Sequence, residues 1–225
     1  MPVAESVLNM TDFLFRMGTS NDPASQQLRS HLFPILVHPM VNQISELAIN
    51  YRNSPIVSEY ISNPSLIYDR SRATKSSTPK AGDRAPEANL LLLRDGTTIE
   101  TRLFQILRDA KHVLLLLSTE EDIESWKKSI NLTEIVLERY GSIIQPYVVI
   151  KGDSLKPHIK SIMTNDLQRL SIPIPLLFDS EYAFYNQYEM GSELLYLIRP
   201  DGYIAYKSQP VDGERLLNHL RIIFS

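Results

Sequence analysis

Hydrophobic residues after position 81 alternate between continuous runs and helical stripes. Residues 112–118 (HVLLLLS) and 143–151 (IIQPYVVIK) are almost entirely apolar, which is typical of strands buried on both faces of a sheet. Between these two runs, four apolar residues recur at helical spacing: Ile123, Trp126, Ile130 and Leu137. The pattern therefore predicts a strand, a crossing helix and a second strand.

The same alternation continues to the end of the chain. It predicts a short helix from Ser154, a strand over 173–178, a helix over 180–190 and an amphipathic helix over 212–224. Turn residues predict two hairpins, one around residues 94–96 (RDG) and one around residues 199–202 (RPDG). The order β-α-β-α followed by β-β-α predicts an α/β fold, a thioredoxin-like domain with a central mixed sheet.

The first part of the chain has a different pattern. Five apolar residues share one helical stripe: Val3, Val7, Met10, Leu14 and Met17. Gly18 is predicted to end this helix, and Asp22-Pro23 to cap and begin the next one. Apolar residues after Pro39 predict a third helix. We therefore expect an all-helical N-terminal segment before the thioredoxin-like domain.

A change of composition separates these two regions. The run NPSLIYDRSRATKSSTPK, residues 63–80, is rich in Ser, Thr, Pro, Arg and Lys, as linkers are. The predicted organisation is a helical segment at 1–60, a linker at 61–80 and the thioredoxin-like domain at 81–225.

Charge and composition narrow the classes of function. The formal net charge of the 225 residues is -3, which argues against nucleic acid or anionic lipid as a partner. The N-terminus lacks the pattern of a secretory signal, and no apolar run reaches membrane-spanning length. We expect a cytoplasmic protein that neither enters a membrane nor binds nucleic acid.

The chain contains no cysteine. A thioredoxin-like enzyme holds its thiolate at the N-terminus of the helix after the first central strand, and here that place carries residues 118–122 (STEED). The carboxylates there are explained by favourable charge at a helix N-terminus, within a predicted capping box. Thiol-dependent chemistry therefore has no nucleophile in this chain.

Other candidate groups have structural explanations that we favour. Asp153 and Asp179 follow predicted parallel strands, at the edge where α/β sheets bind ligands, but each also fits a helix cap. Four aromatic residues close together, Tyr182, Phe184, Tyr185 and Tyr188, could form a stacking platform or pack a helix on the sheet. The histidines are scattered: His31, His38, His112, His158 and His219. The sequence predicts no catalytic, cofactor-binding or metal-binding residue.

Two stretches carry a family resemblance. Residues 2–8 (PVAESVL) with the helices after them, and residues 81–86 (AGDRAP) with 195–205 (LYLIRPDGYIA), occur in an order that resembles the C-terminal region of FAD-dependent aromatic hydroxylases of the phenol or polyketide type. The second stretch is similar to their thioredoxin-like domain, which also lacks redox cysteines. The resemblance implies descent from FAD-dependent monooxygenases, whose FAD-binding glycine motif is absent from this chain.

The expected function follows from that resemblance. The chain is interpreted as a hydroxylase C-terminal portion that serves assembly or dimerisation and cannot itself bind FAD or catalyse. Its expected partner is a second copy or a separately encoded flavin-binding chain, which it would complete as an accessory subunit. Alternatives of another class are a small-molecule binding module and a cysteine-less peroxiredoxin-like protein.

Overall fold

The computed structural model describes residues 8–9, 11–12, 15–16, 18–20, 22–23, 26, 51–62, 78–94, 97–117, 123–152, 174–188 and 193–225. The chain divides into two compact units, Met1–Tyr51 and Arg52–Ser225. The predicted domain boundaries at residues 60 and 80 remain a prediction.

In the N-terminal unit, the described residues between 8 and 19 are helical. An ion pair of 2.9 Å joins Asp12 and Arg16 one turn apart, and the amide of Ser20 donates to the carbonyl of Arg16 at 3.1 Å. The prediction that Gly18 ends this helix is wrong, because Gly18 and Thr19 are both helical. Pro23 is helical after the non-helical Asp22, as predicted.

Most of the N-terminal unit is not described, and the predicted stripe of Val3, Val7, Met10, Leu14 and Met17 lies outside the described residues. The all-helical segment therefore remains a prediction. Residues 58–60, at the end of the range predicted as helical, form a strand together with residue 61 of the predicted linker.

The second unit is built on one mixed sheet. Its strands are β1 Ser58–Ile61, β2 Asn89–Arg94, β3 Thr97–Arg102, β4 His112–Leu117, β5 Ile144–Lys151, β6 Leu176–Asp179, β7 Leu194–Ile198 and β8 Ile204–Gln209. The spatial order is β1-β8-β7-β4-β5-β6-β2-β3. β4, β5 and β6 are mutually parallel, whereas β7, β8 and the β2–β3 hairpin bring in antiparallel pairs.

Helices cover the two faces of this sheet. Their bounds are α1 Leu103–Ile106, which continues as a 3-10 turn, α2 Ile123–Tyr140, α3 Ala183–Tyr188 and α4 Gly213–Phe224. One apolar core includes residues of α1 and α3, and the other includes residues of α2 and α4. The predicted thioredoxin-like α/β fold with a mixed sheet is confirmed.

The two hairpins form at the predicted turns. β2 pairs with β3 from Arg94 opposite Thr97 to Asn89 opposite Arg102. In the β7–β8 hairpin, Gly202 has a φ of 85°, and its amide donates to the Arg199 carbonyl at 2.9 Å. A Cβ at Gly202 would lie 3.0 Å from Cε1 of Phe104, so both backbone angle and space favour glycine here.

The stretch at residues 81–86 packs directly on that hairpin. Gly82 donates to the carbonyl of Ile204 at 2.7 Å, Ile204 donates to that of Asp83 at 2.9 Å, and Ala85 donates to that of Gly202 at 2.8 Å. The Asp83 carboxylate also receives Arg52 at 2.6 Å, which raises the pKa of the guanidinium, chiefly through this hydrogen bond. Residues 81–86 and the β7–β8 hairpin, which together form the second stretch of the family resemblance, are thus one structural unit.

Candidate functional site

The position that holds the redox centre in thioredoxin-like enzymes lies at the start of α2. β4 ends at Leu117 and α2 begins at Ile123, and the residues between them, 118–122, lie outside the described residues. The sequence there contains no cysteine. Chemistry at this point would need a nucleophile other than a thiolate.

Asp179 is the sequence candidate that the structure places most clearly. Its side chain, at the end of β6, is fully buried. One carboxylate oxygen accepts the amide of Phe184 at 3.2 Å, and the other accepts the amide of Tyr185 at 2.7 Å. The carboxylate therefore caps α3, which is the structural role that the sequence favoured for Asp179. Asp153 lies outside the described residues.

The backbone of Asp179 also organises the neighbouring loops. Its carbonyl accepts the amide of Gly152 at 3.1 Å and that of Tyr182 at 3.3 Å. Gly152 has a φ of 112° and Tyr182 a φ of 56°, which is an unusual conformation for a bulky side chain. Asp179 thus fixes both connections that leave the carboxyl ends of β5 and β6.

The aromatic cluster around α3 belongs mainly to the core. Phe184 stacks on Tyr188, with ring centroids 3.9 Å apart, and the Tyr188 hydroxyl donates to the Pro86 carbonyl at 3.0 Å. Burial raises the pKa of Tyr188 well above its usual value. These contacts fit the packing explanation rather than a stacking platform. Tyr182 differs from the other three because its side chain is exposed.

Two of the five histidines lie in the described part of the chain. His112 packs edge-on against Phe224, with ring centroids 5.0 Å apart, and His219 lies 4.9 Å from the ring of Tyr206. Burial is the main reason why the pKa of each histidine is lowered. Among the described residues, no group of three or more His, Cys, Asp or Glu could hold a metal ion. His31, His38 and His158 lie outside them.

A cleft of about 350 Å³ opens at the edge of the sheet beyond Asp179. It is lined by the start of β2, the end of β3, the start of α1 and the loop after β6: Asn89, Leu90, Leu91, Glu100, Thr101, Arg102, Gln105, Ser180 and Glu181. Most of the described lining is polar, and its ionisable groups are two carboxylates and one guanidinium. We call this site the edge cleft.

Local structure holds the edge cleft in shape. Leu90 is buried beneath it, and Arg102 lies opposite Asn89 in the β2–β3 register. The backbone amide of Arg102 donates to the side-chain oxygen of Gln105 at 3.0 Å, which joins the end of β3 to α1. Glu181 lies within the loop that Asp179 fixes.

Lys151 and two tyrosines lie next to this loop. The Lys151 ammonium is 5.1 Å from the ring centroid of Tyr182 and 5.6 Å from that of Tyr185, within the range of a cation–π contact. Neither Lys151 nor the tyrosines are among the described residues that line the edge cleft. The cleft itself offers hydrogen bonds and charge to a ligand.

The described lining of the edge cleft contains no serine–histidine pair. Among those residues Ser180 is the only serine and histidine is absent, whereas a catalytic serine needs an adjacent base. Sequence reasoning identified this edge through Asp179 but missed the cleft. The sequence feature that points to the cleft is the polar character of Glu100, Arg102 and Gln105, at and just after the end of the predicted hairpin.

The comparisons with known proteins concern the fold. No family model matches the chain, and no curated protein matches it. A domain described as a possible thiol-disulfide isomerase from Cytophaga hutchinsonii has a TM-score of 0.51 at 18% identity, and the match covers 66% of this chain and 95% of that one. This similarity supports the thioredoxin-like fold.

Two other solved structures are similar at lower scores. The thioredoxin domain of a thiol-disulfide oxidoreductase from Bacteroides vulgatus has a TM-score of 0.49 at 18% identity, covering 64% of this chain and 97% of that one. The reduced 2-Cys peroxiredoxin of Plasmodium vivax also has a TM-score of 0.49 at 18% identity, covering 63% of this chain and 94% of that one.

These comparisons correct the sequence interpretation. The resemblance to FAD-dependent aromatic hydroxylases is wrong, because the structure that supports the fold is a domain described as a possible thiol-disulfide isomerase and no family model matches the chain. The expected role as the C-terminal portion of a monooxygenase is wrong for the same reason, and nothing supports a flavin-binding partner chain. Of the residues that carried the resemblance, those at 82–85 and 202–204 hold the hairpin and its neighbouring loop together, so they indicate fold rather than chemistry.

No helix in the described part of the chain is long and apolar enough to cross a membrane.

Proposed function

We propose that the chain is a cysteine-less, peroxiredoxin-like protein that works by binding a small polar ligand and not by thiol chemistry. The observation that carries this proposal is the combination of a thioredoxin-like fold with a cysteine count of zero. Thiol-disulfide exchange and peroxide reduction both pass through a sulfur nucleophile. Because the chain has no thiol, the proposed role is the recognition of a ligand.

The edge cleft is the proposed binding site. It lies at the carboxyl end of β6, and ligands of open α/β sheets bind in crevices at the carboxyl ends of their strands. With Glu100, Glu181 and Arg102 ionised, its lining has an excess of one negative charge. A ligand with an amine group and hydrogen-bonding neighbours is the chemistry that fits this lining best.

Amide chemical shifts of the labelled protein test the binding site. Putrescine, glycine and inorganic phosphate serve as cationic, zwitterionic and anionic probes. We expect putrescine to shift the amides of Gln105 and Glu181 most, and Glu181→Gln to weaken the response. Glu138→Gln, on the exposed part of α2, is the control and should leave it unchanged. If none of the three probes shifts the cleft amides, the binding proposal fails.

Redox assays test the other half of the proposal. Insulin reduction with dithiothreitol and peroxide consumption with thioredoxin should stay at the buffer rate. A rate above the buffer rate that is lost on changing residues 118–122 would contradict a purely binding role.

We also propose that the chain holds no flavin, since it offers no glycine-rich turn at a helix N-terminus for the pyrophosphate. A purified preparation with a flavin absorbance spectrum near one flavin per chain would contradict this. The predicted cytoplasmic location is part of the same proposal, and fractionation of expressing cells tests it.

Assembly as a homodimer is a further part of this proposal. Its support in the described residues is an exposed strand at one end of the sheet. Sedimentation equilibrium at high micromolar concentration tests it directly, and a monomer under those conditions would refute it.

A further inference from the structure

The two ends of the sheet differ in how they are protected. β8 would be an edge strand, but β1 pairs with it in parallel. At the other end, β3 is the last strand of the sheet in the described part of the chain. Five of its six residues are exposed, and Ile99 exposes 49% of its surface.

β3 lacks most of the devices that keep edge strands from pairing. Natural proteins blunt such edges with charged side chains, especially lysine, and with proline, bulges or very short strands; β3 has Glu100 and Arg102 but no lysine, proline or bulge. β3 has the sequence TTIETR and pairs with β2 over all six residues without a break in register. Its threonines and isoleucine have high strand propensity. The edge is therefore regular and competent to accept another strand.

The hydrogen bonds at the end of β3 show which backbone groups face outward. Leu103 donates its amide to the Ala88 carbonyl on the β2 side at 3.0 Å, whereas the amide of Arg102 is turned away to Gln105. Backbone groups alternate in direction along a strand. The N–H and C=O groups of Thr98 and Glu100 therefore point away from β2, toward the open edge.

We propose that two copies of the chain pair their β3 strands antiparallel around a two-fold axis at Ile99. Ile99 then lies opposite Ile99 of the second copy in a non-hydrogen-bonded pair. On each side of the axis, Thr98 of one copy and Glu100 of the other form a hydrogen-bonded pair, and such a pair exchanges two N–H···O bonds. This inference rests on the proposed homodimer and names its surface.

The side chains favour this register and a second copy as the occupant. An axis at Glu100 would place two carboxylates directly opposite each other, which is destabilising. An axis at Thr101 would leave only three residues to overlap, because α1 begins at Leu103. An axis at Ile99 brings together two exposed apolar side chains and places each Thr98 hydroxyl opposite a Glu100 carboxylate. The strand is thus complementary to itself.

Disulfide cross-linking tests the register, because the chain has no cysteine to interfere. Cβ atoms of a non-hydrogen-bonded pair lie about 4.5–5.5 Å apart, close to the span of a disulfide. Ile99→Cys should give a cross-linked dimer under mild oxidation with diamide. Glu100→Cys reports the alternative register and should cross-link more slowly. Ile222→Cys, at a site that is 76% exposed on α4, is the matched control and should not be cross-linked.

Two further variants test the interface without a cross-link. Thr98→Pro removes an N–H group that points away from β2 and leaves the hydrogen bonds between β2 and β3 in place. Proline is tolerated where the N–H faces solvent on an edge strand. Ile99→Lys places two ammonium groups at the axis. Each should raise the dimer dissociation constant tenfold or more, whereas Ile222→Lys should not. Circular dichroism and thermal unfolding of each variant verify that the fold is intact.

The outcomes separate the two proposals. A monomeric wild type at high micromolar concentration overturns both the homodimer and the β3 pairing. A dimer that survives Ile99→Lys, together with Ile99→Cys cross-linking no faster than Ile222→Cys, overturns the β3 pairing alone. Putrescine binding at the edge cleft is measured separately, in wild type and in Ile99→Lys, because Glu100 lines the cleft and also takes part in the proposed pairing. Binding that persists in a monomeric protein leaves the edge-cleft proposal standing whatever the fate of the β3 pairing.

Discussion

Removing the carboxylate of Asp179 is the sharpest test of how the candidate site is held together. The side chain is fully buried at the end of β6, and its two oxygens accept the amides of Phe184 and Tyr185. Asp179→Ala leaves both amides inside the protein without this acceptor. The backbone carbonyl of residue 179 remains available to Gly152 and Tyr182.

The size of the effect follows from these two bonds. A hydrogen bond to a charged group contributes about 1.5–3 kcal/mol, and a buried donor that loses its partner costs a similar amount. Asp179→Ala should therefore lower the free energy of unfolding by about 3–5 kcal/mol, a large share of the roughly 5–15 kcal/mol of a typical domain. Asp179→Asn keeps one acceptor oxygen and should lose about half as much.

Urea unfolding followed by circular dichroism measures these differences. Asp212→Ala is the matched control: Asp212 caps α4 by accepting the amide of Arg215 at 3.0 Å, but it is partly exposed. Water can replace that cap, so its loss should cost only about 1 kcal/mol. If Asp179→Ala costs no more than Asp212→Ala, Asp179 does not organise the site and the argument is wrong.

Three further predictions concern other parts of the second unit. Gly202→Ala should lower the free energy of unfolding by about 1–3 kcal/mol, because Gly202 has a positive φ and the added Cβ would contact Phe104. Calorimetry measures this loss, with Gly18→Ala, where the described surroundings are open, as the control. Equal melting temperatures of Gly202→Ala and the wild type would contradict the prediction. Burial lowers the pKa of His219 below 6.5, so the unfolded chain binds more protons below that pH and the free energy of unfolding should fall on acidification. Urea unfolding across a pH series should show a shallower fall for His219→Gln. An unchanged dependence of the unfolding free energy on pH would count against this. Lys207 is 3% exposed and its burial lowers its pKa; it donates to the Pro79 carbonyl and pairs with Glu59 at 3.5 Å. Lys207→Met removes one partner of both contacts, so urea unfolding should show a loss of about 1–3 kcal/mol. An unchanged unfolding free energy would contradict this.

The elements that could be predicted from sequence are those whose signal is local. Continuous apolar runs identified β4 and β5, and the turn residues around Gly202 identified the β7–β8 hairpin. The cap of α4 likewise depends on residues close in sequence, since the Asp212 side chain accepts the amide of Arg215. Each of these depends on neighbours within a few positions, which a single sequence displays.

The parts that escaped prediction depend on distant partners. β1 is four residues long, and its place in the sheet comes from pairing with β8. The edge cleft forms because β2 pairs with β6, which brings Asn89 and Glu181 together. The edge of the sheet was identified through Asp179, but the cleft residues lie on elements whose adjacency is visible only in the folded chain.

The pairing of β1 with β8 has a consequence for the order in which the chain folds during synthesis. Ser58 and Ile61 lie opposite Tyr206 and Gln209, so β1 cannot join the sheet until its partner has left the ribosome. At 5–20 residues per second, the intervening stretch of about 150 residues takes about 7–30 s to make. β1 therefore leaves the ribosome early and joins the sheet late. Throughout that interval β1 has to be kept from pairing with other strands.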